Sequence, residues 1–355
     1  MKIGKIFAAL AAALAAALAC SCRPQSAPAD AEYNLSREDL CLRDPFVFAD
    51  KKTGKYYIHA NVKIDRPKIS AEEIDKTKYK SGLYCYESKD LKHWRYAGKS
   101  FEPPADFWGK EGFWAPDMFE LGGKYYIIAT CHNGEGVEIF HNNKMRVKPQ
   151  FRGCFALVSD RPDGGYKLVS KEPLTPKGQM CLDGTLWEEN GRLYLIYCRE
   201  WVQVWDGEVV ACEVARDLSK LVGEPKVLFK ASAAKWNNIV RSGGKRCGVT
   251  DAPVANRAED GTLFMTWSSG GVCADGQSRY VVACAVSDNG SIFGNWIQDE
   301  TPLNCDDGGH AMIFKTFGGK TKIAYHAPNK KPFCHTVIAD FSFKNGKASI
   351  APEKD

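Results

Sequence analysis

RDPFVFADKKTGKYYIHA, residues 43–60, is the stretch that decides the fold. Asp44 opens an apolar run, a polar turn follows at Gly54, and an aromatic run with Tyr56 and Tyr57 returns. Two β-prone runs joined by a Gly-containing turn read as a hairpin. The form recurs four times: APDMFELGGKYYIIAT (115–130) headed by Asp117, LDGTLWEENGRLYLIYC (182–198) by Asp183, TDAPVANRAEDGTLFMTWSS (250–269) by Asp251, and GHAMIFKTFGGKTKIAYHA (309–327) with His310 in the acidic position. A third strand follows each hairpin: GLYCYES, CFALVSD, VVACEVA, VVACAVSD and CHTVIADFSF. The head residues recur roughly every 60–75 positions, the length of a four-stranded blade. Five such units predict an all-β, five-bladed β-propeller. A β-sandwich is the alternative, but it gives no reason for a polar residue to head the same strand five times.

Working outward, residues 1–19 carry Lys2, Lys5 and an unbroken 14-residue apolar run from Ile6 to Ala19. That is shorter than the ~20 residues a spanning helix needs, so it reads as a secretory signal. The run ends at Cys20, which resembles a bacterial lipoprotein acceptor, with Cys22 as a second candidate. Residues 20–37 read as a Pro/Ala/polar tether and 38–355 as the propeller. Localisation in the periplasm or on the outer membrane, lipid-anchored at Cys20, is the expectation. The membrane would be met only through that anchor.

The chain has 355 residues, 44% hydrophobic and 26% charged, the composition of an ordinary globular protein. Its +5 formal charge is small and evenly spread, so no nucleic-acid partner is expected. A monomer is expected. Fourteen cysteines include no CxxC pair, which leaves zinc-ribbon and thioredoxin-like sites unsupported. Cys85, Cys198 and Cys284 sit in apolar strands and read as small buried hydrophobes. Export leaves room for one or two disulfides.

In a propeller the inner strand of each blade lines the central channel. The five heads therefore converge: four carboxylates and one imidazole in one pocket. Such a pocket suits metal binding, or hydrolysis of glycosidic bonds by a carboxylate base and a carboxylic acid. Trp108, Trp114, Trp201 and Trp205 lie near the motifs and could stack on sugar faces. No GxSxG, Walker or GxGxxG signature supports another chemistry or an organic cofactor.

RDPFVF at 43–48, FWAPDMF at 113–119, the SKDLKHW turn at 88–94 and the five-blade spacing together resemble glycoside hydrolase family 43 over most of residues 40–345. The resemblance implies an inverting enzyme acting mainly on α-L-arabinofuranosides or β-D-xylosides, with an oligo- or polysaccharide as partner. It implies Asp44 as the base that activates water, Asp183 as the residue that tunes and orients the acid, and Asp117 as a shaper of the sugar pocket. His310 resembles an axial histidine near a calcium ion or water cluster, so structural Ca2+ is the one cofactor implied, with His310 as its candidate ligand.

The acid departs from the family pattern. Asp251-Ala252-Pro253 stands where many members carry Glu-Gly-Pro, one methylene longer. Either Asp251 serves with a shifted backbone, or Glu200, in CREWVQVWDG beside Trp201 and Gln203, supplies the proton while Asp251 binds substrate. The sequence leans slightly to Glu200, whose other reading is an ion pair with an arginine. Trp114, Trp201 and Gln203 are expected in the pocket wall. The inserts at 61–80 and 132–152 favour a walled pocket and exo action, most simply an α-L-arabinofuranosidase, with β-xylosidase next. Endo-arabinanase, β-galactofuranosidase, a phosphorolytic relative and a non-catalytic glycan-binding propeller are the alternatives.

Overall fold

The computed structural model describes residues 32–77, 82–137, 150–238, 240–242, 245–330 and 334–353. The leader, Cys20 and most of the tether lie outside the described residues, as do parts of both inserts. Five antiparallel sheets are arranged as a five-bladed β-propeller. From the axis outward, blade one holds Phe48–Asp50, Lys55–Ala60, Leu83–Ser88 and His93–Phe101. Blade two holds Glu111–Leu121, Lys124–Val137, Gln150–Ser159 and Lys167–Leu168. Blade three holds Cys181–Glu189, Arg192–Arg199, Glu208–Glu213 and Lys226–Lys230. Blade four holds Asp251–Arg257, Leu263–Val272, Ser278–Ser287 and Trp296–Gln298. Blade five holds Gly309–Lys315, Thr321–Ala327, His335–Lys344 and Lys347–Ala351. No helix among the described residues is long and apolar enough to cross a membrane.

Sheet structure begins at Leu35, inside the expected tether. Leu35 and Ser36 pair with Trp94 and His93 and add a fifth strand to blade one. Burial of Leu35 to 1% exposure supplies the reason. The same segment meets blade five, where the Thr336 amide donates to the Leu40 carbonyl at 3.2 Å. The ring also closes deeper down. The Phe317 amide donates to the Tyr56 hydroxyl at 3.0 Å, and the two rings pack 4.4 Å apart.

The inner strands share a local distortion that positions the site. Asp44, Ala115, Asp183, Ala252 and His310 all have left-handed backbones, with φ of 53°, 46°, 57°, 47° and 57°. In blades two to five the strand register breaks around this residue, between 114 and 117, 182 and 185, 251 and 254, and 309 and 312. These five residues are the equivalent positions, so the sequence heads hold in blades one, three and five and are displaced in blades two and four. Asp117 therefore stands two residues beyond its blade's equivalent and Asp251 one residue before. A left-handed non-glycine residue costs roughly 1–2 kcal/mol, and such strain persists where the surroundings hold it. Here neighbouring blades do so. The Asp44, Asp183 and His310 amides donate to His326 Nδ1 (3.2 Å), Thr130 Oγ1 (2.9 Å) and Ser268 Oγ (2.8 Å), each on the second strand of the preceding blade.

One disulfide is present among the described residues, Cys273–Cys305. Cys85, Cys198 and Cys284 are fully buried in strands, as small hydrophobes would be.

Candidate active site

The left-handed turns point side chains from separate blades into one cavity of about 280 Å³ at one end of the axis. Asp44, Asp183, Asp251 and His310 line it, with Glu200, Trp114 and Trp201 on its wall. Arg43, Asn61 and Tyr280 complete its polar surface. Beneath it the axial channel narrows to about 10 Å³, lined by Asp44, Asp117, Asp183, Thr185 and His310 among others. That is space for about one water molecule and not for a sugar ring.

Asp44 is oriented by two histidines. His310 Nδ1 lies 3.2 Å from Asp44 Oδ1 and 3.7 Å from Asp183 Oδ2. Burial pulls His310 below the usual histidine range and His326 down to about 4, so both are neutral near pH 7. The Asp44 amide donates to His326 Nδ1, which also lies 3.3 Å from Asp44 Oδ1, and His326 Nε2 lies 3.3 Å from Asn329 Oδ1. Asn329 Oδ1 also accepts from Arg43 at 2.6 Å. A neutral His310 N–H can therefore hold Asp44 in place without cancelling its charge.

Asp183 and Asp251 form a buried, interacting pair. Burial raises both above the usual carboxylate range, Asp251 to about 7, and Asp183 is raised further by the charges of Asp251 and Asp44. Their hydrogen bonds differ. Asp183 Oδ2 accepts the Ala252 amide at 2.9 Å, whereas Asp251 Oδ2 accepts the neutral Tyr280 hydroxyl at 3.0 Å. The pair therefore holds a proton at neutral pH that the two carboxyls share, and Asp251 is the member that faces the cavity without a backbone donor.

Glu200 is 9% exposed and forms an ion pair with Arg152, a strand residue of blade two. The Arg152 guanidinium lies 4.6 Å over the Trp114 ring, and Trp114 in turn packs 5.0 Å from His132. Gln203 is turned away from the cavity. Its Oε1 accepts the Met180 amide at 2.9 Å and its Nε2 donates to the Gly178 carbonyl at 2.9 Å, so it braces the segment carrying Glu200. Asp117 lines only the narrow channel, where burial pushes its carboxyl well above the usual range. Trp108 packs against Phe107 and Phe151 and does not line the cavity, nor does Trp205. Sequence reasoning missed Tyr280, His326, Arg43 and Arg152: Arg43 and His326 lie inside the first and fifth repeat segments but not at their head positions, and Tyr280 and Arg152 lie outside the segments.

The calcium expectation meets a poor donor set. Calcium takes six to eight oxygen ligands, whereas His310 offers a ring nitrogen already turned to Asp44 and Asp183. Among the described residues no group of three or more His, Cys, Asp or Glu side chains is arranged to hold a metal. The chemistry below is derived from protons and carboxylates.

Residues 39–347 match the glycosyl hydrolases family 43. The chain belongs to that family. Its fold is similar to that of an endo-arabinase from Bacteroides thetaiotaomicron VPI-5482, at 40% identity over 89% of this chain and 99% of that one, with a TM-score of 0.75. Two more distant structures share the fold. An α-L-arabinofuranosidase from Lactobacillus brevis is 16% identical, covering 89% and 96% of the two chains, with a TM-score of 0.63. A Cellvibrio cellulosa α-L-arabinanase complexed with arabinohexaose is 16% identical, covering 90% and 96%, with a TM-score of 0.58. No curated protein matches. As a family 43 member, the chain is a glycoside hydrolase, an inverting one, and its substrate is a carbohydrate.

Proposed function

We propose that this family 43 enzyme hydrolyses α-L-arabinofuranosidic bonds, with Asp44 as general base, Asp251 as general acid and Asp183 as the residue that positions and tunes the acid. The observation that carries the reading is the shared cavity in which Asp44 Oδ1 lies 3.2 Å from His310 Nδ1 while Asp251 is raised to about 7. Asp44 takes a proton from water, whose oxygen bonds to the anomeric carbon. The glycosidic bond breaks on the opposite face, and its electron pair takes the Asp251 proton. Proton exchange with solvent then restores both carboxyl groups. Glu200, favoured by the sequence as donor, is engaged in an ion pair with Arg152. Asp251 is the better donor on that ground.

Exo action is supported by the cavity's size and by a floor too narrow for a sugar. Endo action is the second reading, favoured by the name of the Bacteroides thetaiotaomicron protein at 40% identity. The leader and Cys20 support export with a lipid anchor, and the Cys273–Cys305 disulfide suits an oxidising compartment.

The test is a panel: 4-nitrophenyl α-L-arabinofuranoside, β-D-xyloside and β-D-galactofuranoside, together with linear arabinan. Arabinose alone from arabinan supports the exo reading, and a ladder of oligosaccharides supports the endo one. Xylose or galactofuranose release without arabinose release overturns the sugar assignment. No release from any of them favours a glycan-binding role.

A further inference from the structure

We propose that Glu200 is a positioning residue: a fixed anionic wall of the cavity that acts on the reaction through Asp251 and donates no proton itself. The inference rests on Asp251 being the acid.

The geometry fixes Glu200 from three sides. Its backbone amide donates to the Met180 carbonyl at 2.8 Å, and it stands at the start of the short helix Trp201–Val204. Gln203, one turn on, ties that helix to residues 178 and 180. Its carboxylate meets Arg152, and Arg152 is itself stacked over Trp114. Side chains of Glu200 and Arg152 are 11% and 10% exposed, so the pair is screened little by solvent. A guanidinium does not deprotonate, and it holds the Glu200 carboxylate in one ion pair on the cavity wall.

Glu200 and Asp251 line the same cavity from blades three and four. A fixed negative charge there disfavours a second one on Asp251 and so keeps the proton in place until the glycosidic oxygen arrives. Glu200 is among the charges that raise Asp251, after burial, together with Asp44. Arg43 and the Tyr280 hydroxyl act in the opposite direction. Asp183 faces Asp251 as well and interacts with it; burial and the charges of Asp251 and Asp44 raise its carboxyl, and the Ala252 amide opposes that rise. Loss of the Glu200 charge thus leaves an acid that ionises earlier, not an enzyme without an acid.

The arrangement also explains why an aspartate can stand at position 251 within the buried wall. The family resemblance places a longer acid there. In this chain burial first, and then the charges of Glu200 and Asp44, raise the shorter acid.

The test is the pH dependence of kcat/KM on 4-nitrophenyl α-L-arabinofuranoside and on an arabino-oligosaccharide, for wild type, Glu200→Gln, Glu200→Asp and Asp251→Asn. The expected result is that Glu200→Gln moves the alkaline limb down by roughly half a pH unit or more, that Glu200→Asp restores it, and that the activity of Glu200→Gln below the limb stays within about tenfold of wild type. Asp251→Asn should lose the oligosaccharide activity and the alkaline limb together. Glu200→Gln leaves Arg152 buried without its partner; if it does not fold, Glu200→Gln/Arg152→Met, which buries no lone charge, is measured instead, with a downward shift that is smaller because the counter-charge leaves with the anion. An unmoved limb with a raised KM makes Glu200 a sugar-binding residue and overturns this inference while the assignment of Asp251 stands. Loss in Glu200→Gln of oligosaccharide activity alone, with Asp251→Asn still active, makes Glu200 the donor and overturns both.

Discussion

The Ala252 amide donates to Asp183 Oδ2 at 2.9 Å, which ties the carboxylate of blade three to the residue that follows Asp251 on blade four. Ala252 can offer that amide because its backbone is left-handed, φ 47°. Strain in one blade is thus converted into alignment between two. Asp183→Asn keeps the shape but removes an anion that faces Asp251. It should lower kcat/KM on unactivated oligosaccharides by about 100-fold or more and shift the alkaline limb to lower pH. Steady-state kinetics across pH 4–9 check this. A fall in activity with an unmoved limb would confine Asp183 to a structural role.

The protonated site should also be visible in stability. An ordinary aspartate titrates at about 3.9 in an unfolded chain, whereas Asp251 is held at about 7 by burial. The folded state therefore binds this proton more tightly than the unfolded state. The resulting stabilisation is fully present below pH 4 and is lost as pH rises through 7. Asp251→Asn, which never has to bury that charge, should gain in Tm relative to wild type between pH 4 and pH 8, while losing activity. Thermal unfolding at both pH values measures the difference, and a constant offset would contradict the raised carboxyl.

His326 is a neutral acceptor for the Asp44 amide. His326→Ala removes that acceptor from a left-handed residue and loosens the base. The expected outcome is a fall in kcat of about tenfold or more with KM nearly unchanged, because misplacement costs the chemical step more than binding. His326→Asn, which retains an acceptor, should recover part of it.

The disulfide joins residues 32 apart in sequence. Chain-entropy reasoning gives a closure of that length about 3–4 kcal/mol. Cys273→Ala/Cys305→Ala should lower Tm by several degrees and leave kcat/KM at 25 °C close to wild type, since neither cysteine lines the cavity. Calorimetry together with the arabinofuranoside assay checks both halves.

Five hairpins with Gly turns and aromatic returns made the blade count readable from the chain, because each repeat carries its own alternation and turn chemistry. Equivalence within the repeat was less readable. Matching acid to acid aligned Asp117 and Asp251 with Asp44, whereas the backbone makes Ala115 and Ala252 the counterparts. A left-handed alanine has no sequence signature, so the displacement of two residues in blade two and one in blade four was hidden. That displacement sends Asp117 into the narrow channel and leaves Asp251 facing the cavity. Glu200 could be named as a wall residue from its neighbours Trp201 and Gln203. Its partner Arg152 comes from another blade, and Gln203 turns its amide to the backbone, neither of which spacing reveals.

The most direct measurement is a leaving-group comparison of Asp44→Asn and Asp251→Asn. Both variants are assayed on 4-nitrophenyl α-L-arabinofuranoside, whose phenolate leaves without protonation, and on an arabino-oligosaccharide, whose alkoxide does not. The account predicts that Asp44→Asn loses at least about 1000-fold on both, whereas Asp251→Asn loses a comparable factor on the oligosaccharide and far less on the nitrophenyl substrate. Asp44→Asn at near wild-type activity, or Asp251→Asn equally affected on the two substrates, would contradict it.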